Sequence, residues 1–431
     1  MKVTFLKAAH RDKAVTTSAK SVNDDTQRRL MRLVSRHEPI SRPDLSQRAE
    51  LTPQGVGIQV RKLVKNGLLR QSVTPTSTPG RPAARVAVER SRNATIGITG
   101  SDRTLQIAAS DFADNLMYRQ QRSVPADIAP DAFVDTLSEL IREALRAQPL
   151  AKVQVRQILL GIAALLDQPT GRLLGSAHFP KLQDVDLIGP LTERFGIPVE
   201  TGHHGHVGYF GVLRPHAVGG EFHALLSWGV GVAWTQAYPD GMSFLNTFDG
   251  VRSVGHAKVA EAGRRCTCGR RGCLEAEVGL SGVRDRLAEA DPRFAQASIG
   301  ELVEAANAGQ AEVVRILRDT AERLGREIAW LVHLGNVQHL WIDAHVGLDG
   351  DTLADALRRG LADRLHEDHL RQLGVEVLSD PDTTLVRGAC RLAREVFLDP
   401  QLIARLRVRQ ELNVQAASPG PLRTGAALLT A

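Results

Sequence analysis

The chain changes rhythm twice. Residues 1–22 are polar, with few large apolar side chains beyond Phe5 and Leu6. Such a segment buries too little to offset the entropy of ordering, so a disordered tail is expected. Apolar positions then fall at helical spacing: Leu30, Leu33 and Val34 in a segment stopped by Pro39, Leu45 and Ala49 in the next, and Val56, Val60 and Leu63 in a third. Ser41 and Thr52 stand where helix N-caps belong, and Pro53 suits a first helical position. "KNGLL" reads as a stop, with Gly67 as the left-handed residue. The stretch "LLRQSVTPTSTPGRPAARVAV" reads as two short strands around a Pro/Thr/Ser-rich tip. Three short helices and this hairpin predict a winged helix-turn-helix over residues 23–90.

From Ala94 strands alternate with helices. "TIGITGSDRTLQIAASDF" has the pattern of a β-hairpin, and "VRQILLGIAALL", "HALLSWGVGVAW" and "VQHLWIDAHVG" contain further strands. A long helix through "AEVVRILRDTAERLGREIAWLVHLG" sets Leu317, Leu324, Ile328 and Leu331 on one face. The expectation is an α/β body over 94–398 in two lobes, about 94–210 and 211–398, then a tail over 399–431.

Composition narrows the class. At 431 residues and 43% hydrophobic content, two or three domains with real cores are affordable. No apolar run approaches the roughly 20 residues of a membrane helix. The N-terminus has no long apolar region of a secretory signal, so no membrane association is expected. Four cysteines, three of them clustered, do not make a secreted disulfide framework, and a reducing cytoplasm is the expected compartment. Charge is divided unevenly. Residues 1–90 carry 18 Lys and Arg against 7 Asp and Glu, a net of +11, and the rest nets −5. A basic head on a mildly acidic body suits a double-stranded DNA partner. The candidate contacts are Arg42, Thr52, Gln54, Gly57, Ile58, Arg61 and Lys62 around the third helix, with Arg81 and Arg85 in the wing placed for phosphates or a minor groove.

Three cysteines fall within eight residues of "GHAKVAEAGRRCTCGRRGCLEAE". With His256, the thiols of Cys266, Cys268 and Cys273 would make a complete tetrahedral Zn²⁺ shell without an open position, which argues for a structural metal. Cys390 lies on a predicted helix and reads as a core thiol.

The order winged helix, "PGRP", "IGIT", "GIPVETG", "GVGV", "VGH", "CTCGRRGCLEA" resembles the ROK family, over about residues 23–398. That resemblance implies an actin-like, hexokinase-like two-lobed body, shared by sugar-responsive repressors such as the xylose repressor and by sugar kinases. It implies that the zinc loop presents His256 and Glu275 to a sugar, with Glu200 kept and Thr201 and Ser253 standing where an Asn and a carboxylate belong, so that of the usual sugar contacts only His256 and Glu275 clearly remain. It also marks losses. The catalytic Asp of a kinase falls at Gly202, an Asp of the first phosphate motif at Thr99, and a glycine pair near adenine at Asp343–His345. A catalytically inactive, sensing and dimerising body is therefore expected, in a homodimer or dimer of dimers on a palindromic operator. The alternatives are a sugar kinase with an accessory domain and an effector-independent dimeric DNA-binding protein. His203, His204 and His206 read as exposed loop residues, with a second metal patch as the other possibility.

Overall fold

A computed structural model describes residues 25–73, 84–101, 104–125, 127–167, 170–176, 178–216, 220–237, 244–246 and 253–403. The tail over 1–22, the wing tip with Arg81, and residues 404–431 of the expected C-terminal tail lie outside the described residues.

The N-terminal unit has three helices, α1 (Asp25–His37), α2 (Arg42–Ala49) and α3 (Pro53–Lys65). Each turn follows from local chemistry. The Ser41 hydroxyl caps α2 by accepting from the Asp44 amide at 3.2 Å, and Thr52 caps α3 by accepting from the Gly55 amide at 3.2 Å. Gly67 ends the unit's helical part at φ +68°. The wing strands Leu69–Val73 and Ala84–Val88 pair antiparallel, and Ile40–Ser41 adds to the outer edge. Leu30, Val34, Leu45, Val56, Val60, Leu63 and Val86 close the core. The sequence reading missed two contributors: Phe112 and Leu398, from the large body, are buried in the same cluster. The winged unit is thus completed by residues far along the chain.

The body holds two five-stranded sheets of identical layout. In the first, Thr104–Asp111 and Leu116–Ser123 add antiparallel to one side of Asn93–Ser101, while Gln154–Ile162 and Val199–Thr201 add parallel to the other. In the second, His223–Trp228 takes the central place, with Val232–Ala237 and Phe244–Asn246 antiparallel on one side and His339–Ala344 and Gly374–Val377 parallel on the other. Near-continuous burial along Gln154–Ile162 and Val232–Ala237, next to the central strands, reflects sheets covered on both faces. The long helix Ala311–Leu334 buries Leu317, Leu324 and Ile328 against the second sheet's layer, as its apolar stripe requires. No helix among the described residues is long and apolar enough to cross a membrane.

One lobe boundary needs correction. Residues Pro381–Leu398 were expected in the second lobe, but this C-terminal helix crosses back onto the first sheet. Thr95 donates its hydroxyl to the Cys390 carbonyl at 2.9 Å, and Val386 and Cys390 pack against Ala108. The helix is apolar along one side, and the uncovered face of the first sheet is where that side is buried. Chain order shows the helix but not which layer it covers.

Candidate functional site

A cavity of about 280 Å³ opens between the lobes. The first lobe contributes Ser176, His178 and His204, and the second contributes the loop Gly229–Val232 with Ser253, His256, Thr267, Glu275, Asp343 and His345. Leu385 of the C-terminal helix closes one side. The Glu275 carboxylate lies against the backbone of Gly231 and Gly255, where added Cβ atoms would stand 2.9 and 3.2 Å from its Oε2. Burial raises the Glu275 pKa, while His256 and His178 nearby pull the other way. Such a carboxyl, set among imidazoles and hydroxyls, can bind a polyhydroxyl ligand through several hydrogen bonds.

Glu275 owes its place to the loop before it. His256 Nδ1 lies 3.5 Å from Cys266 Sγ, and Cys268 Sγ lies 3.7 Å from Cys273 Sγ. All four ligand atoms fall within 4.8 Å of one another, so the set can hold a metal ion. Among the described residues it is the only group of three or more such side chains that close. Backbone and side-chain hydrogen bonds from Arg270 draw the Cys268 thiol down to about 7, while burial and the neighbouring thiols push Cys273 up to about 12, so in the absence of a metal only the first readily gives a thiolate. The loop requires Gly272: at φ +76°, a Cβ there would sit 1.7 Å from the Ala260 carbonyl oxygen. Behind the loop, buried Glu277 accepts from the Arg264 amide at 2.6 Å and from Arg323 of the long helix at 3.0 Å. That tie fixes the cluster to the second lobe.

On the winged unit, Gln54, Ile58, Arg61 and Lys62 all lie exposed on α3. Ile58 is 41% exposed, an apolar side chain open to solvent on a basic helix. Gly57, expected on the same open face, is buried instead, with the Arg61 guanidinium 3.6 Å from where its Cβ would be. Thr52 is exposed with its hydroxyl committed to capping. Arg42 is half-buried at the start of α2. Arg85 is exposed on the wing strand and donates to the Pro39 carbonyl at 3.2 Å.

The ROK family profile matches residues 95–396, the whole two-lobed body. This chain belongs to the ROK family. A winged helix-turn-helix DNA-binding profile matches residues 23–70. The chain is 23% identical over 394 residues to the DNA-binding transcriptional dual regulator NagC of Escherichia coli K12, covering 88% of this chain and 94% of that protein. It is 21% identical over 371 residues to a xylose repressor of Caldicellulosiruptor bescii, covering 83% and 92%. Among solved structures, a ROK family transcriptional regulator, homologue of the E. coli Mlc protein, overlays with a TM-score of 0.66 at 20% identity, covering 89% of this chain and 98% of that one. A ROK glucokinase from Streptomyces griseus, in complex with glucose and AMPPNP, overlays with a TM-score of 0.57 at 20% identity, covering 70% and 99%.

Within this ROK body the expected effector residues divide. Ser253, His256 and Glu275 line the cleft. Thr201 does not: it is buried and donates its hydroxyl to the Gly171 carbonyl at 2.8 Å. Glu200, on the same short strand, is half-buried and outside the cavity lining. The three histidines are not exposed. His203, His204 and His206 are 2%, 7% and 3% exposed, because the helix that begins at His204 runs into the core between the lobes. His204 alone lines the cleft, with Nε2 3.8 Å from Asp343 Oδ2. At Gly202, an added Cβ would meet Leu392 at 3.1 Å and Leu159 at 3.3 Å, so the position is packed shut. His178, His345, Ser176 and Thr267 were missed as cleft residues. Thr267 stands between two of the clustered cysteines, and only the folded loop places it on the cleft. His178 and His345 arrive from separate strand ends, and only the closed fold brings them together.

Proposed function

We propose that the protein is a ROK-type transcriptional repressor whose two-lobed body senses a sugar or sugar derivative and performs no phosphotransfer. The observation that carries the reading is the pairing, in one chain, of a basic winged helix with a body whose Gly202 offers no base. Phosphoryl transfer to a hydroxyl needs a group to accept its proton. Leu392 and Leu159 occupy the space such a side chain would need at this position.

In this reading, α3 enters the major groove. Gln54 pairs with adenine, Ile58 contacts a thymine methyl, and Arg61 and Lys62 bind phosphates. Two copies place their recognition helices about 34 Å apart, or a multiple of that, on a palindromic operator. The metal is zinc in a structural role. Tetrahedral Zn²⁺ with thiolates at about 2.3 Å sets its sulfur atoms about 3.8 Å apart. The 3.7 Å between Cys268 and Cys273 suits that ion. Zinc on His256 Nδ1 would leave Nε2 for a ligand hydroxyl beside Glu275. A ligand that favours one lobe arrangement over another then changes operator affinity.

The test is selection of bound duplexes from random DNA by the full chain, followed by titration. Enrichment of a palindrome is expected. Gln54→Ala should relax preference at one base pair by about 1–3 kcal/mol, and Lys62→Ala should weaken all sequences and lower the salt slope by about one. A chain that enriches no sequence and ignores DNA at low salt refutes the reading.

A further inference from the structure

Arg156 is 2% exposed, on the first-lobe strand Gln154–Ile162. Burying a guanidinium is costly, and a sheet strand alone does not call for one. Its nitrogens reach the winged unit. Nε donates to the Asn93 amide oxygen at 2.6 Å, and Nη2 donates to the Asn66 carbonyl at 2.8 Å. Asn93, fully buried, donates through Nδ2 to the Gly67 carbonyl at 2.8 Å and to the Glu89 carbonyl at 2.7 Å. Asn66 and Gly67 are the residues that end α3. The carbonyls there carry the negative end of the helix dipole, which a cation stabilises. Burial holds the Arg156 pKa down to about 10, which leaves it charged at neutral pH.

We propose that Arg156 is a positioning residue for DNA reading: with Asn93 it pins the end of the recognition helix to the first-lobe sheet, so the ROK body sets the distance and pitch between the two recognition helices of a dimer. The inference rests on the reading above that two copies bind a palindrome. Neither residue touches DNA in this arrangement. Their effect is confined to where α3 points. Substituting Lys keeps the charge but loses the planar fork that reaches Asn93 and Asn66 together.

The experiment uses the full chain and the palindrome selected by the wild type. Affinities are measured for that duplex, for duplexes with the half-sites moved apart or together by one and two base pairs, and for a single half-site. Wild type should prefer its own spacing. Arg156→Met and Arg156→Lys should lower that preference, by roughly tenfold for Met and less for Lys. Single half-site affinity should stay within about twofold of wild type. Thermal melting establishes that each variant folds. Equal losses on full and half sites, or an unchanged spacing preference, overturn the proposal. If neither variant folds, Arg156 serves stability and the proposal likewise falls. Failure of the wild type to select any DNA is a different result, and it removes the DNA reading itself.

Discussion

The two ends of the cleft are built differently. At one end, His256 and Glu275 stand on a loop gathered by three thiols, and Glu277 behind it is tied to Arg264 and Arg323. At the other, the positions that the family resemblance assigns to a kinase's catalytic and phosphate groups carry Thr99 and a packed Gly202, beside two close His–Asp contacts, His204–Asp343 at 3.8 Å and His345–Asp382 at 3.3 Å. A buried carboxylate such as Asp343, 5% exposed, is a poor neighbour for a phosphate group. On the proposed reading, the contrast teaches that ligand recognition and phosphotransfer are separable parts of one fold. One end is built around a set of side chains that can hold a metal, and the other is closed by contacts between the lobes.

The largest effect should come from dismantling the gathered end. Cys268→Ser is expected to lose the bound metal and lower the melting temperature by roughly 10 °C or more. Metal analysis of wild type should give about one ion per chain, and a metal-free wild type with an unchanged melt would remove the distinction between the ends. Next is Gly202→Asp, which places a carboxylate where the family resemblance puts a kinase's catalytic Asp. It should not create sugar-dependent ATP consumption, and it should destabilise the fold by about 3 kcal/mol, because a carboxylate would be forced between Leu392 and Leu159. Denaturant unfolding and a coupled ATPase assay check both halves. Robust turnover in this variant would show that only one residue separates the chain from a kinase. The smallest effect sharpens the comparison. In a thermal-shift screen of pentoses, hexoses, N-acetylated hexosamines, sugar phosphates and sugar acids, Glu275→Ala should weaken any hit by roughly tenfold, and His345→Ala by much less. Equal losses would mean that the ligand spans both ends.

The winged unit was the more legible part of the sequence. Its caps, its three apolar stripes and its Gly67 stop are local signals, and local physics determines them. The metal set was legible for the same reason, since Cys266, Cys268 and Cys273 lie within eight residues. What the sequence hid was long-range. Thr201 carries a hydroxyl that suits a ligand, yet the Gly171 carbonyl takes it. His203 and His206 have the composition of a solvated loop, yet a helix carries them into the core. Gly57 fits the spacing of an open face, yet it is buried, with the Arg61 guanidinium close to where its Cβ would be. Each error concerned which of two surfaces a residue faces when spacing permits both.

The placement of Leu398 has a consequence for synthesis. A ribosome releases α1 and α3 long before it makes the C-terminal helix, yet Phe112 and Leu398 complete the core that α1 and α3 share. Domains near the N-terminus ordinarily fold as they emerge. Here the winged unit can gather most of its core from residues up to Val88, but Leu398 joins it only after the helix Pro381–Leu398 has been made. A truncated chain that lacks that helix therefore leaves open the side of the core that Leu398 covers.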